Sequence, residues 1–287
     1  MTSRRRNDTD LTFGPHAADL CLPLEEKTRL SGGFWELRKG PCHLSKYMEV
    51  RLTVIGSSPA WPNPGSAQSG YLLSVDESAA GTLLLDCGPG VLGRLRETDS
   101  TGVAAIAITH FHLDHWGDLV PWAWLSDYGA DGAGRPELWL PPGGTGQLAT
   151  FASLWGNPNM FEKAFELFEY EPGTPFSAGG FSIEALQVPH YTLRAFGFRV
   201  SGNGRMIAYS GDSGPSAELA ALAHGADLFV CEATLDQPDR DGPPRGHLTV
   251  DEALAAADGP VLLTHRPIEL DSPHGIPRAS DGLVVDI

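Results

Sequence analysis

From position 49 the chain alternates polar and apolar residues, and Glu49-Val50-Arg51-Leu52-Thr53-Val54-Ile55 reads as a strand with one buried face. Strand-like runs recur at 70–75, 82–86, 103–109, 137–140, 181–188, 195–200, 206–210, 228–232 and 261–264. Helical patterns fall between some of them, at 89–97, 117–128, 145–155, 216–223 and 249–257, where Thr249 with Glu252 three residues on has the pattern of a capping box. Hairpin-like strand pairs mixed with helices predict an α+β fold built in layers rather than a regular doubly wound sheet. No internal repeat of fixed period is present.

The first 47 residues lack such a pattern, because charge runs, Gly32-Gly33 and Pro41 take the place of any sustained apolar period. The organisation expected is an N-terminal extension over 1–47, poorly packed or an upstream reading of the start codon, followed by one domain over 48–287.

Composition narrows the class. Gly 34 and Pro 23 in 287 residues stay below the level that marks low complexity, and 41% apolar residues can fill a core. A chain of this size folds without a structural metal or disulfide, so a metal here serves chemistry. The net charge of −16 excludes a protein whose affinity comes from neutralising phosphates along a nucleic acid. No apolar run approaches the length of a membrane span, and Arg4-Arg5-Arg6 leads into Asn7-Asp8-Thr9-Asp10 instead of an apolar signal segment. A soluble, cytoplasmic protein is expected. Cys21, Cys42, Cys87 and Cys231 are scattered without C-x-x-C spacing, which suggests neither a disulfide framework nor a thiolate zinc site.

The chemistry concentrates in Thr109-His110-Phe111-His112-Leu113-Asp114-His115, directly after the apolar run 103–108. Loops that leave buried strands are where α/β proteins build their sites. His110 and His112, two apart in an extended segment, point the same way and can hold one ion, while Asp114 and His115, turned by the loop, can reach a second. Imidazole and carboxylate suit zinc, with manganese or iron also compatible, and a pair of ions can bridge a water and stabilise attacking and leaving oxygens.

This segment resembles the defining motif of the metallo-β-lactamase superfamily, and the other motifs follow in order over 48–265. Leu85-Asp86-Cys87-Gly88-Pro89-Gly90 is similar to its early strand-end aspartate and glycine turn, Val188-Pro189-His190 to its third metal motif, Tyr209-Ser210-Gly211-Asp212 to its bridging aspartate motif and Leu263-Thr264-His265 to its last histidine. The resemblance implies an αββα sandwich of two mixed sheets covered by helices. It further implies two zinc ions, one on His110, His112 and His190, the other on Asp114, His115 and His265, with Asp212 bridging. Asp86 is expected to orient a ligand histidine from behind.

Cys231-Glu232-Ala233-Thr234 and Gly246-His247-Leu248-Thr249 resemble the paired motifs of the ribonuclease Z-like phosphodiesterases. That branch implies His247 as general acid oriented by Glu232, so the catalytic set expected is Asp114, His247 and Glu232. Departures matter: Cys231 stands where the branch usually has His, and only 21 residues separate His190 from Asp212, too few for the long basic arm of the tRNA-processing members. With the acidic charge, this favours a small anionic phosphodiester, such as a 3′,5′-cyclic nucleotide, over long nucleic acid or a membrane. The alternatives are tRNA 3′-end cleavage, lactone, thioester or amide hydrolysis on the same centre, and a non-catalytic metal-binding module. A homodimer is implied by resemblance alone. Arg194 and Arg266 are candidate phosphate partners, and Trp61, Trp116, Trp122, Trp124 and Tyr191 candidate walls for a flat group, Trp116 foremost.

Limited proteolysis is expected to trim the chain toward residue 48 and leave 48–287 intact, as read by mass spectrometry of the fragments. An N-terminus that survives digestion together with the domain counts against the extension.

Overall fold

The computed structural model describes residues 49–75, 81–97, 102–129, 134–273 and 275–287 with side chains, and 25–29 and 35–39 as backbone. Strands β1 (Glu25–Arg29) and β2 (Trp35–Lys39) pair antiparallel in a two-stranded sheet of their own, inside the span expected to be a loose extension. The remainder of 1–47 lies outside the described residues.

The chain then runs β3 (Arg51–Gly56), β4 (Gly70–Ser74), β5 (Thr82–Leu85), α1 (Val91–Glu97), β6 (Ala105–Ala107), α2 (Leu113–Trp116), α3 (Leu119–Tyr128), β7 (Glu137–Leu140), α4 (Gly144–Leu154), α5 (Met160–Ala164) and β8 (Glu166–Glu169). The second half carries β9 (Phe176–Ala178), β10 (Phe181–His190), β11 (Leu193–Gly202), β12 (Arg205–Tyr209), α6 (Ala217–Ala223), β13 (Leu228–Glu232), α7 (Val250–Ala256), β14 (Val261–Thr264) and β15 (Val284–Asp286). A 7-stranded sheet has the order β15-β3-β4-β5-β6-β7-β8 and a 6-stranded sheet the order β14-β13-β12-β11-β10-β9.

Side-chain alternation explains the layers. In β5, Leu83 and Leu85 point into the core between the sheets while Leu84 points to the helices; in β6, Ala105 and Ala107 face inward and Ile106 outward. The second sheet does the same, with Ile207, Tyr209, Leu228, Val230 and Leu262 inside and Ala208, Phe229, Cys231 and Leu263 against α6 and α7. Strands with two apolar faces need cover on both sides, and the result is the helix-sheet-sheet-helix sandwich expected. Among the described residues no helix is long and apolar enough to cross a membrane.

Direction decides where the site lies. Strands β5 to β8 are parallel, β12, β13 and β14 are parallel, and β10 runs with β12 because both are antiparallel to β11. The C-terminal ends of β5, β6, β10, β12, β13 and β14 therefore collect at one edge of the sandwich, where loops of α/β proteins carry their chemistry. The interval between His190 and Asp212 is taken up by β11 and β12, joined by the tight turn Asn203-Gly204, both residues with positive φ (49 and 78) as such a hairpin requires.

Two differences from the sequence pattern are local. The helix expected over 117–128 is α3, and a separate short helix, α2, precedes it across Gly117-Asp118, so Asp114 and His115 sit on a helix rather than in a loop. Short elements α5, β8, β9 and β15 lack a long enough period to be read from sequence, and β15 reaches its place beside β3 only by closing the far edge of the sheet.

The capping box at α7 is present: the Thr249 side chain accepts from Glu252 N, and Glu252 Oε2 accepts from Thr249 N at 2.9 Å. Glu252 also takes a two-pronged bond from Arg245, at 2.7 and 2.8 Å, and Arg245 donates to His247 O at 3.0 Å. The Arg245 bonds, with those from Thr249, lower the Glu252 carboxyl from 4.5 to about 2. A carboxyl depressed in the fold stabilises above its unfolded value and loses that contribution as pH falls toward the folded one. Glu252→Gln is expected to destabilise the domain by about 1–3 kcal/mol at neutral pH. In urea melts of both proteins, that gap should close as pH drops below the ordinary carboxyl value.

Candidate metal centre

The site begins at Asp86, the residue after β5, held at φ 58 where a side chain other than glycine's is strained. Its Oδ1 accepts from Thr109 N at 2.8 Å, and its Oδ2 accepts from Tyr209 OH at 2.8 Å and His115 Nδ1 at 2.7 Å. Thr109 Oγ1 lies 2.9 Å from the same Oδ2. One buried carboxylate thus joins β5, the loop after β6, α2 and the inner face of β12. Beneath it the turn is tight, since a Cβ on Gly88 would run into the Asp114 carbonyl.

Around this node seven side chains converge. His110 Nε2 lies 3.2 Å and His190 Nε2 2.9 Å from His112 Nδ1, with Asp212 Oδ2 3.8 Å from His110 Nε2. Beside them, His115 Nε2 is 3.4 Å from Asp114 Oδ2 and 3.2 Å from Asp212 Oδ2, and His265 Nε2 is 3.1 Å from Asp114 Oδ2. Ligand atoms of His110, His112, His190 and Asp212 lie within 4.8 Å of one another, as do those of Asp114, His115, Asp212 and His265. Asp212 belongs to both groups.

The rings are aimed from behind. His115 Nδ1 is engaged by Asp86, His190 Nδ1 donates to Gly246 O at 2.6 Å, and His265 Nδ1 lies 2.9 Å from Thr234 Oγ1, so each keeps Nε2 toward its neighbours. Burial, helped by adjacent imidazoles, holds His110 well below the usual histidine range, and burial lowers His112 and His190 as well. Burial thus favours the neutral form of those rings, the form that can offer a lone pair to a cation. At His115 burial also opposes charge, but Asp212, Asp86 and Asp114 outweigh it and push the ring well above its ordinary range. The spot ringed by those carboxylates therefore favours positive charge.

These residues fit a pair of divalent ions. His115 Nε2 and Asp212 Oδ1 are buried without a hydrogen-bond partner, an arrangement that is costly unless a cation supplies what is missing. The donors are imidazole and carboxylate only; Cys87 and Cys231, both free and buried, stand behind the site among apolar residues.

His247 and Glu232 meet beside the cluster. His247 Nδ1 is 2.9 Å from Glu232 Oε1, and the buried Glu232 also accepts from Ser213 N, Thr234 N and Thr234 Oγ1 at 3.0, 3.1 and 2.9 Å. Burial disfavours a charge on His247, but Glu232 outweighs it and the ring is pushed up to about 9. Asp241, a residue the sequence pattern did not single out, accepts from Gly246 N at 2.7 Å and His247 N at 3.0 Å and so shapes this loop.

A cavity of about 880 Å³ opens over the cluster, lined by His112, Asp114, Asp212, His247 and His265 at its base. Of the aromatic candidates, Trp61 and Tyr191 line it. Trp116 does not: it is buried and packs edge-on against Phe151 at 4.9 Å and Phe111 at 5.9 Å. Trp122 is a core residue and Trp124 stacks on Tyr128. Adjacency to His115 in sequence misled because α2 turns the next side chain to the opposite face. Arg266 is likewise corrected, being buried with its guanidinium donating to Ala233 O at 2.7 Å and to Asp271 O. Arg194 is exposed, 6.0 Å over the Phe196 ring, and outside the cavity lining, whose arginine is Arg240.

Comparison with known proteins gives a consistent picture. Residues 82–260 match the family described as Beta-lactamase superfamily domain. An uncharacterized protein of Mycobacterium leprae is 35% identical over 226 residues, covering 76% of this chain and 78% of that protein. Probable metallo-hydrolase YhfI of Bacillus subtilis is 29% identical over 224 residues, covering 76% of this chain and 87% of its own. Its crystal structure superposes with a TM-score of 0.69 over 83% of this chain and 99% of that one. Ribonuclease Z of Mycobacterium bovis is 28% identical over 197 residues, covering 63% of this chain and 69% of that enzyme.

Asp86→Asn keeps the size of the node but offers one carboxamide oxygen where two carboxylate oxygens now accept. Metal affinity is expected to fall by about 10–100-fold, read by competition with a chromogenic chelator; unchanged affinity counts against the orienting role.

Proposed function

The chain belongs to the metallo-β-lactamase superfamily, and on that footing we propose that it is a dinuclear zinc phosphodiesterase for a small phosphodiester such as a 3′,5′-cyclic nucleotide. The observation that carries the reading is His247, fixed by the buried Glu232 and lining the same cavity as both ligand groups. His110, His112 and His190 would hold one ion, Asp114, His115 and His265 the other, with Asp212 shared. When bound, the ions supply Lewis-acid charge at the phosphate and an activated water.

The protein's own groups do the rest. Cleavage of an alkyl phosphodiester expels an alkoxide that must be protonated, whereas the thiolate expelled from a thioester leaves without help from an acid. Glu232 Oε1 holds the Nδ1–H of His247, so the imidazolium presents its other N–H to the cavity and gives up that proton to the departing oxygen. The ring then remains as the Nδ1–H tautomer, still bonded to Glu232. Thr234 ties the pair to the ligand side, its hydroxyl being 2.9 Å from both Glu232 Oε2 and His265 Nδ1. The His247 and His265 rings stack at 5.5 Å with 18° between planes, so the proposed proton donor would stand next to a residue that would hold the second ion.

Likeness to ribonuclease Z supports tRNA 3′-end cleavage as a second reading. Against it stand the net charge of −16 and the β11–β12 hairpin that occupies the whole interval where a gripping arm would be inserted.

Zinc-loaded protein is expected to contain two ions per chain by atomic absorption and to hydrolyse cyclic AMP or cyclic GMP in preference to lactones and pre-tRNA. His247→Ala should lower turnover of the cyclic diester by about 10²–10⁴-fold while leaving metal content intact. With bis-p-nitrophenyl phosphate, whose leaving group needs no proton, the loss should be much smaller. Equal losses on the two substrates would remove His247 from the role of acid.

A further inference from the structure

The cavity wall outside the ligand cluster is apolar and acidic at once. Trp61, Leu113 and Tyr191 line it while remaining 53%, 58% and 40% exposed, far more than apolar side chains of this size normally are in a sandwich core. Tyr191 is held there at φ 49, a strained setting for a bulky residue, directly after the ligand His190. Its ring lies on Gly246, where a Cβ would collide with it, so the backbone beside His247 is kept bare to seat that ring. Strain and a required glycine together mark a wall built to face the cavity.

The charged residues of the lining point to what that wall accepts. Asp236, Asp241 and Glu269 line the cavity, and Arg240 among the lining residues is already paired with Asp236 Oδ1 at 3.3 Å. Among the described lining residues, positive charge therefore sits at the base, on the ligand cluster once ions are bound and on His247 beside it, where Glu232 offsets it, and the mouth is negative. A phosphodiester at the base carries one charge; any further phosphate on the same molecule would lie among carboxylates, where the described lining residues offer no arginine or lysine other than the paired Arg240.

We propose, resting on the phosphodiesterase reading, that this cavity is a charge filter: it takes substrates whose reacting phosphodiester is their sole charge and whose remaining bulk is a flat, uncharged group held against Trp61 and Tyr191, and it rejects molecules that bear a second phosphate. Cyclic mononucleotides pass this filter. Oligonucleotides and nucleotides with an added terminal phosphate do not.

The test compares thymidine 5′-(p-nitrophenyl phosphate) with its 3′-phosphorylated counterpart on the zinc-loaded full chain, reading p-nitrophenolate release. Wild type should favour the singly charged probe by about tenfold in kcat/KM at low ionic strength, and the preference should shrink as salt screens the mouth. Asp236→Asn with Glu269→Gln, both exposed positions where the fold is not at stake, should narrow the ratio to about twofold. Trp61→Ala should raise KM for both probes alike. Equal use of the probes by wild type, a preference insensitive to salt, or an unchanged ratio in the double variant overturns the filter alone. Failure of wild type to cleave either probe overturns the phosphodiesterase reading and the filter with it.

Discussion

The Asp86 carboxylate is the constraint on which the site depends. It is wholly buried, and a buried charge persists only when its lone pairs are occupied. The groups that occupy them come from three places: Thr109 beyond β6, His115 on α2 and Tyr209 on β12 of the opposite sheet. Satisfying one carboxylate therefore sets the two sheets against each other at the edge where their strands end. It also sets the tautomer of His115, so that the free nitrogen faces Asp114 and Asp212. Packing alone would hold the sheets together with latitude along their faces; the directional bonds to Asp86 remove it.

Strain is gathered at the same edge. Among the described residues the non-glycine positions with positive φ are Asp86, Tyr191, Asn203 and His265, and all but the hairpin residue Asn203 belong to the centre or its cavity. Such conformations cost about 1–3 kcal/mol each and last only where surrounding bonds over-determine them. Here the bonds are those of Asp86, the packing of Tyr191 on Gly246 and the Thr234 hydroxyl beside both Nδ1 and O of His265. Burial of the imidazoles and carboxylates away from water adds a further unfavourable contribution. The core between the sheets and the two helix-covered outer cores are the reservoir that bears it.

The acidic net charge acquires a position in the fold. Asp114 and Asp212 lie within the ligand cluster, where cations would neutralise them, whereas Asp236 and Glu269 stand exposed at the mouth. The same chemical group, a carboxylate, would thus attract cations at the base and, under the proposed filter, repel anions at the rim. Counting carboxylates along the chain cannot separate these two populations, because the difference is one of burial and neighbours.

How much was legible in the residues follows from the range of each signal. Period-2 and period-3.6 patterns are local, so the long strands and helices could be read, and the layering follows from strands apolar on both faces. The short elements α5, β8 and β9 carry too few residues for a period, and β15 owes its place to pairing with a strand more than two hundred residues away. His-x-His-x-Asp-His is likewise a local signal, and it pointed to the edge at which the structure gathers the histidines and aspartates. What sequence could not decide was direction: whether Trp116 or Trp61 faces the cavity, whether Arg266 is free or spent on backbone carbonyls, and that Asp241 shapes the His247 loop. The sequence by itself determined which chemical groups are present and in which local periods they fall. The tertiary structure alone decided which of them share a space, because burial, strain and charge are properties of neighbours brought together from distant parts of the chain.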